Sequence, residues 1–364
     1  MMNILFFLLC LVPCSASHRR IYSPKQDLDL ERQLKLVNKS PVKSIHTNFG
    51  DMVDCIDIKK QPAFNHPLLK NHKLQRKPSS QKSFGKTRAK NLYTESIFGL
   101  GKEECPTGTV PIRRTTKDNL IRDKPLLDNH ILTQNQPGNH YAEAYMLPFL
   151  GPYYAVSGNN SIYNPTLQMK DQISASHLFL QNGPKGSTEK IVAGWHVAPQ
   201  FYGGDSATYI YASWSVSLKP CFISSIFNSE IKKTGCYNIQ CPGFVQTNKY
   251  KYLGFRVNNT SIYGGTMIET KISIFQDVST KNWWLSIEND PVGYFPIALF
   301  SNLTSADKVG YVSFQNGLRR DFGPDDVKTF SDNTDCFGVE YYGNQKGEVG
   351  YSLQFGGPGG NCGD

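Results

Sequence analysis

The clearest pattern in the chain is a two-residue alternation of apolar and polar side chains after Asn139. Between Tyr209 and Leu218, Ile, Ala, Trp, Val and Leu alternate with Tyr and Ser. A run of this kind predicts a strand with one apolar face and one hydroxyl-lined face. Further strands are predicted at residues 189–197, 266–277, 283–288, 293–300, 309–314, 339–342 and 351–355.

Turn-forming glycines separate these runs, as at residues 202–205 and 263–265. Short strands joined by such turns favour two antiparallel sheets packed face to face. Aromatic residues make up 12% of the chain and charged residues only 19%, so we expect neither a helical bundle nor a disordered chain. We therefore predict an all-β fold, an antiparallel β-sandwich, over residues 132–364.

The preceding part, residues 18–131, is polar and basic. Its leucines and valine at positions 28, 30, 34, 36 and 37 predict a short amphipathic helix over residues 27–38. A stretch rich in Lys, Ser, Gln and Pro at residues 70–90 predicts a solvated loop or linker. The change of character near residue 140 marks a boundary between two parts of the chain.

The first residues have the composition of a secretory signal peptide. Residues 4–12 form an apolar run, and Pro13, Ser15 and Ser17 follow it before His18. No later run reaches the ~18 apolar residues of a membrane span. We therefore predict that residues 1–17 are removed and that the protein is secreted, with the extracellular space, the cell wall or the vacuole as its destination.

Export predicts disulfide bonds, and seven cysteines remain after Cys10 and Cys14 are removed with the signal peptide. Their spacing suggests three pairs and leaves Cys221 over. Neither a C-x-x-C pair nor two closely spaced histidines occurs, so no metal site is predicted. The predicted pairs are Cys55 with Cys105, Cys236 with Cys241, and Cys336 with Cys362.

Asn-x-Ser/Thr sequences fit the glycosylated surface of an exported protein. The candidate acceptors are Asn38, Asn159, Asn258, Asn259 and Asn302.

Five stretches match the pattern of a known family. They are VDCIDIKKQPAFNHPLLKNHKLQRKPS at 53–79, CPTGTVPIRR at 105–114, AGW at 193–195, GCYNIQCPGFVQTN at 235–248 and NWWLSIENDPVGYFPIAL at 282–299. The chain resembles the plant neprosin family from about residue 27 to residue 362. The resemblance implies a secreted glutamic endopeptidase that cuts around proline without a cofactor. It also implies a small mixed α+β pro-segment, the activation peptide, over residues 18–131, and two glutamates in a cleft on one sheet face.

Two glutamates are needed because one ionised carboxylate activates water as a general base while a second, protonated, carboxyl group acts as an acid. At the position of the first family glutamate this chain has Val192, and an ungapped count places Gln315 at the second. Valine has no titratable group, and an amide does not exchange a proton at useful cost. We therefore expect weak or absent peptidase activity, so that the chain is a candidate pseudoenzyme.

Strand alternation places neighbouring side chains on opposite faces, so Glu189 points away from Val192 and does not replace it. Val192 should share its face with Lys190, Gly194 and His196, while Ile191, Ala193, Trp195 and Val197 belong to the core. Compensation by His196 remains open. The predicted groove candidates are His196, Tyr209, Tyr211, Trp283 and Trp284.

Three functions remain open: an active peptidase zymogen, a non-catalytic binder of proline-rich peptides or cell-wall proteins, and a secreted structural protein. A serine hydrolase is disfavoured because no G-x-S-x-G sequence occurs. His177 is more easily explained as a structural residue, and Cys221 is a weak candidate nucleophile.

The formal net charge of +9 is unevenly distributed. Residues 18–140 carry 23 Lys and Arg against 12 Asp and Glu, whereas residues 141–364 carry 16 against 18. The basic character therefore belongs to the pro-segment, and a nucleic-acid partner is not expected. We predict that opposite charge helps to hold the pro-segment on the β-sandwich.

Overall fold

The structure is a computed structural model that describes residues 24–79, 99–100, 103–121, 140–167, 172–217, 233–310, 326–335, 337–345 and 351–356. These residues form helix α1 (Pro24–Val37) and seventeen strands. The strands are β1 Lys43–His46, β2 Met52–Asp57, β3 Thr109–Arg113, β4 Ala142–Met146, β5 Ala155–Ser161, β6 Ser174–Asn182, β7 Glu189–Val197, β8 Thr208–Ser217, β9 Lys233–Tyr237, β10 Val245–Gln246, β11 Glu269–Gln276, β12 Trp283–Ile287, β13 Asp290–Phe295, β14 Lys308–Gly310, β15 Val327–Ser331, β16 Gly338–Asn344 and β17 Tyr351–Gly356.

Two antiparallel sheets form a β-sandwich, as predicted. The five-stranded sheet has the order β10-β13-β12-β11-β5, and the seven-stranded sheet has the order β15-β4-β14-β6-β7-β8-β9. Their facing side chains interlock: the rings of Trp214 and Phe295 lie 5.2 Å apart, and Trp195 Nε1 donates a hydrogen bond to Ser161 O at 3.0 Å. This packing confirms the all-β antiparallel class.

The alternation in β8 is confirmed residue by residue. Ile210, Ala212 and Trp214 lie in the core between the sheets, whereas Tyr209 and Tyr211 belong to a separate cluster on the opposite face. β7 has the predicted bounds, and β8 differs from its predicted bounds by one residue at each end.

Strand β6 was not predicted, and its packing explains why. Leu178 and Leu180 lie in the core, but Phe179 between them is also buried, on the outer face. A strand buried on both faces loses the apolar-polar alternation that identifies an amphipathic strand.

The described residues between 24 and 121, called here the N-terminal segment, combine α1 with the antiparallel sheet β1-β2-β3. The predicted helix and the mixed α+β character are therefore present. Apolar side chains of the segment belong to the same core cluster as the sandwich. They are Val53, Ile56, Ile58, Leu69, Val110 and Ile112.

The prediction that opposite charge holds this segment in place is not supported by its contacts. Arg114 pairs with Asp54 at 2.5 Å, Arg113 with Asp51 at 2.7 Å and Lys43 with Glu103 at 3.1 Å, all within the segment. An ion pair that does cross to the sandwich, Glu104 with Lys249 at 2.7 Å, places the acid on the basic segment. Among the described residues, the contacts that hold the segment are mainly apolar packing and hydrogen bonds.

The predicted solvated loop at residues 70–90 is confirmed as a loop in its described part, residues 70–79, but this part is only partly solvated. Pro78 is buried, and the Gln75 and Ser79 side chains hydrogen-bond to the sandwich. Residues 80–90 lie outside the described residues.

Both predicted disulfides that fall in the described regions are present, Cys55–Cys105 and Cys236–Cys241. Cys221, Cys336 and Cys362 lie outside the described residues, so their pairing stays a prediction. The first bond links β2 to the residues just before β3, and it therefore joins two neighbouring strands of the three-stranded sheet covalently.

The candidate glycosylation sites differ in accessibility. Asn159, Asn258 and Asn259 are exposed. Asn38 Nδ2 instead donates to Thr115 O at 2.6 Å, and Asn302 Nδ2 donates to Ser187 O at 3.1 Å. The exposed positions are the better acceptors.

Candidate functional site

The candidate groove is the outer face of the seven-stranded sheet, the face turned away from the core. Paired residues of neighbouring strands form a row across it, because side chains opposite each other point to the same side. The row runs Tyr145, Gly310, Phe179, Val192, Ser213 and Tyr237.

Val192 lies in the middle of this row, as alternation predicted. It pairs with Phe179 on one side and Ser213 on the other, and its side chain is 8% exposed. Ile191 and Ala193 point into the core. Gln315 lies outside the described residues, so the second family position is not placed.

His196 lies on the same strand and in the same cluster of buried aromatic rings. Its Nε2 is 3.0 Å from Tyr202 Oη and also hydrogen-bonds to Tyr237 Oη, and the two tyrosine hydroxyls lie 2.8 Å apart. The imidazole stacks on Tyr211 with ring centroids 4.4 Å apart. Burial, with His177 as a smaller cause, lowers the pKa of His196 to about 3, so the ring is neutral at physiological pH.

His177 and Tyr211 form a second pair beside this cluster. Tyr211 Oη lies 2.9 Å from His177 Nδ1. Burial, with Lys190 as a smaller cause, lowers the pKa of His177 to about 3, and burial raises the pKa of Tyr211. Neither partner exchanges protons readily near neutral pH, which supports a structural role for His177.

Tyr209 lies at the end of the groove that the N-terminal segment covers. Its ring stacks on Tyr202, and the Arg113 guanidinium lies 5.2 Å from the Tyr202 ring centroid. Tyr209 Oη donates to Asp205 Oδ2 at 2.8 Å, and this carboxylate also lies 3.5 Å from Arg256. The N-terminal segment therefore reaches the groove through Arg113.

Glu143 brings a carboxylate to the outer face, on β4. Lys308 Nζ donates to it at 2.7 Å and also lies over the Tyr145 ring. Three strand spacings of about 4.8 Å separate β4 from β7, so the backbones of Glu143 and Val192 lie about 14 Å apart or more. Glu143 is too distant to act with a group at position 192.

Glu189 has a structural role. Its carboxylate is buried and accepts hydrogen bonds from the backbone N–H groups of Ser301, Asn302 and Leu303, at 2.6 to 3.0 Å. It orders the loop before β14 and does not face Val192, as strand alternation required.

The two tryptophans predicted as groove candidates lie elsewhere. Trp283 is fully buried in the core and donates to Leu303 O at 2.9 Å. Trp284 points to the outer face of the five-stranded sheet, where Ala63 and Leu74 of the N-terminal segment cover it. Neither belongs to the groove around Val192, because β12 is part of the other sheet.

Sequence reasoning missed Tyr202 and Tyr237, which complete the hydrogen-bonded cluster around His196. Tyr202 comes from the short 3-10 helix Pro199–Tyr202 and Tyr237 from β9, so no shared periodicity links them to β7. Within the described parts of the chain, no group of three or more His, Cys, Asp or Glu side chains is arranged to hold a metal ion. None of the described helices is long and apolar enough to cross a membrane.

Comparison with known protein families gives two matches, in the order expected from the resemblance. Residues 44–145 match the model described as the Neprosin activation peptide, and residues 170–317 match the model described as Neprosin. The first match covers β1 to β3 and reaches β4, and the second covers β6 to β14. Together with the sandwich and the segment packed on it, these matches show that the chain belongs to the neprosin family.

Proposed function

We propose that this protein is an exported neprosin-family relative that has lost hydrolysis by a glutamate pair and binds proline-containing peptides on the outer face of its seven-stranded sheet. The observation that carries the proposal is Val192 at the centre of that face, between Phe179 and Ser213. A side chain without a titratable group occupies the position where the family has a glutamate.

The neighbouring groups do not compensate. His196 is tied to two tyrosine hydroxyls and has a pKa lowered by burial, so it is a poor general base at neutral pH. Glu143 is paired with Lys308 and lies three strands away. The described carboxylates near this face are therefore held by other partners.

Peptide binding is supported by the aromatic and hydroxyl character of the face. Phe179, Tyr211 and Tyr237 have ring surfaces of the kind on which proline rings pack, but the rings are buried, so binding requires this face to be uncovered. Arg113 stacks on Tyr202 at one end, so access for a peptide depends on movement of the N-terminal segment.

Export is supported by the apolar run at residues 4–12 and by the Cys55–Cys105 disulfide.

The deciding experiment uses the full secreted chain. After acidification we would follow release of the N-terminal segment on gels and cleavage of a quenched proline-containing reporter. We expect neither event in the natural protein. We expect cleavage in the double variant Val192→Glu with Gln315→Glu. The matched control carries Val192→Gln together with Gln315→Glu. Glutamine equals glutamate in size but does not titrate, so this control should stay inactive.

Two results would overturn the proposal. Reporter cleavage that survives Val192→Ala and Gln315→Ala would show that other residues perform hydrolysis.

For binding, a labelled proline-containing peptide should bind saturably, and Phe179→Ala should weaken that binding. A folded protein that neither cuts nor binds such peptides would refute the binding function.

A further inference from the structure

The outer face of the five-stranded sheet carries a second cluster of aromatic side chains. Trp284 pairs across the sheet with Tyr294 and Phe275, and Tyr294 pairs with Val245. Trp284 and Tyr294 are fully buried although they point away from the core. A segment of the same chain, residues 72–79, lies on them and is called here the strap.

The strap places the Gln75 side chain among hydrogen-bond donors of the sandwich. Asn282 Nδ2 and Trp284 Nε1 donate to Gln75 Oε1, at 3.0 and 3.3 Å. The Thr280 hydroxyl lies 2.8 Å from the same oxygen and shares its proton between it and Asp277 Oδ1. The donors come from β12 and from the connection between β11 and β12, and they converge on a single acceptor oxygen. They select a side chain with an acceptor at that position, because an apolar side chain would remove the acceptor of the Asn282 amide and the Trp284 indole N–H groups.

Further contacts fix the strap on either side of Gln75. The Gln75 backbone N–H donates to Tyr294 Oη at 3.0 Å, and His72 Nε2 lies 2.9 Å from the same oxygen. Leu74 packs against the aromatic cluster. At the other end Ser79 donates to Asp277 through its hydroxyl group, at 2.8 Å, and through its backbone N–H.

These contacts are made by side chains of the sandwich to backbone and side-chain groups of a segment with no helix or strand structure. They resemble the recognition of a peptide more than the packing of two regular elements. Pro78 is buried, whereas Lys73, Arg76 and Lys77 between the anchors are exposed. The sequence requirement therefore rests on three positions: an acceptor side chain, then proline three residues later, then serine.

We propose that the outer face of the five-stranded sheet around Trp284 is a peptide-binding site in its own right, which residues 72–79 occupy in cis. Its ligand is a peptide with a hydrogen-bond acceptor side chain, two further residues and a Pro-Ser pair. The site lies on the other sheet from Val192, so the proposal does not depend on whether the face around Val192 binds peptides.

The test weakens the strap while leaving the site intact. The full-length chain is made with Gln75→Leu and Ser79→Ala, and the probe is a fluorescein-labelled peptide, KNHKLQRKPS, with the sequence of residues 70–79. In the natural chain the strap competes with the probe. We expect the double variant to bind the probe at least tenfold more tightly, because each lost hydrogen bond weakens the competing strap by about five- to tenfold.

A change in the probe alone provides the control that does not depend on protein folding. Replacing its glutamine with leucine should weaken binding to the double variant at least fivefold. On the protein side, Trp284→Phe and Asn282→Asp in the same background should each weaken binding, whereas Thr329→Val on the exposed edge strand β15 should not.

Two outcomes would show that the strap is only a structural part of the fold. One is a double variant, folded by circular dichroism, that binds the probe no better than the natural chain. The other is equal binding of the glutamine and leucine probes.

Discussion

At the scale of single residues, the described side chains at the centre of the groove do not provide a group suited to proton transfer at neutral pH. Val192 brings no charge to the centre of the face, and His196 is held neutral by burial among Tyr202, Tyr211 and Tyr237. The hydrogen bonds that satisfy His196 also remove it from proton transfer at neutral pH. A polar cluster that is fully satisfied stabilises the fold rather than reacting.

The neutral state of His196 makes stability depend on pH in a defined direction. Its folded pKa, lowered to about 3, lies below that of an unfolded histidine near 6.5, so the unfolded chain binds more protons between these values. The resulting stability is present above about pH 6.5 and is lost as pH falls towards 3. Replacing His196→Gln should remove the contribution of His196 and retain hydrogen-bonding capacity, while His177, whose pKa is also lowered to about 3, keeps its own contribution.

The measurement is urea unfolding at several pH values. Between pH 6.5 and 5 the natural protein should lose about 1.5 kcal/mol more stability than the variant. His46→Gln, at an exposed position on β1, serves as the control and should leave the pH slope unchanged. Identical slopes in the natural protein and the His196 variant would contradict the assignment of a buried neutral imidazole.

At the scale of elements, β7 and β6 approach each other unusually closely beside the groove. A Cβ atom placed on Gly194 would lie 2.1 Å from Ser176 O and 2.5 Å from His177 Cα. Both neighbours are backbone atoms of a central strand, so neither can move without disturbing the pairing. A glycine is therefore required here by close approach rather than by turn geometry.

We expect Gly194→Ala to separate these strands and to cost ~2 to 3 kcal/mol of stability. The matched control is Gly356→Ala on β17, where an added Cβ meets no atom within 4 Å. Thermal unfolding of the two variants distinguishes them. A Gly194→Ala protein as stable as the control would mean that β6 and β7 are less closely packed than described.

At the scale of the whole molecule, the N-terminal segment is part of the sandwich core. Ile56 and Leu69 are each 1% exposed and lie in the same cluster as Trp283 and Trp214. Separation of the segment would expose this apolar surface to water, which opposes release. The N-terminal segment therefore contributes side chains to the core of the sandwich and also covers part of its surface.

Because the two parts share a core, a destabilising substitution in the N-terminal segment should also lower the stability of the sandwich. All four tryptophans of the chain lie in the sandwich, so their fluorescence reports its unfolding. Ile56→Ala should lower the stability measured by this signal by ~2 to 4 kcal/mol. Val42→Ala, at a position 65% exposed, should have little effect. An unchanged tryptophan transition in Ile56→Ala would mean that the two parts unfold independently.

Much of the site could be predicted from local pattern. The alternation in β7 and β8 placed Val192 and His196 outside and Ile191 and Trp195 inside, because neighbouring side chains of a strand point to opposite faces. Alternation also placed Trp283 and Trp284 on opposite faces of their strand. It could not predict that the strap covers Trp284, because the strap is distant in sequence.

The sequence by itself determined the all-β class, the family, the two disulfides within the described regions and the absence of a glutamate at position 192. Only the tertiary structure decided what covers each sheet: Arg113 over Tyr202, and Gln75 among the donors around Trp284. The physical reason is distance along the chain. Periodicity reports which face of an element is buried, whereas contacts between residues about 90 and 210 positions apart depend on how the finished elements pack.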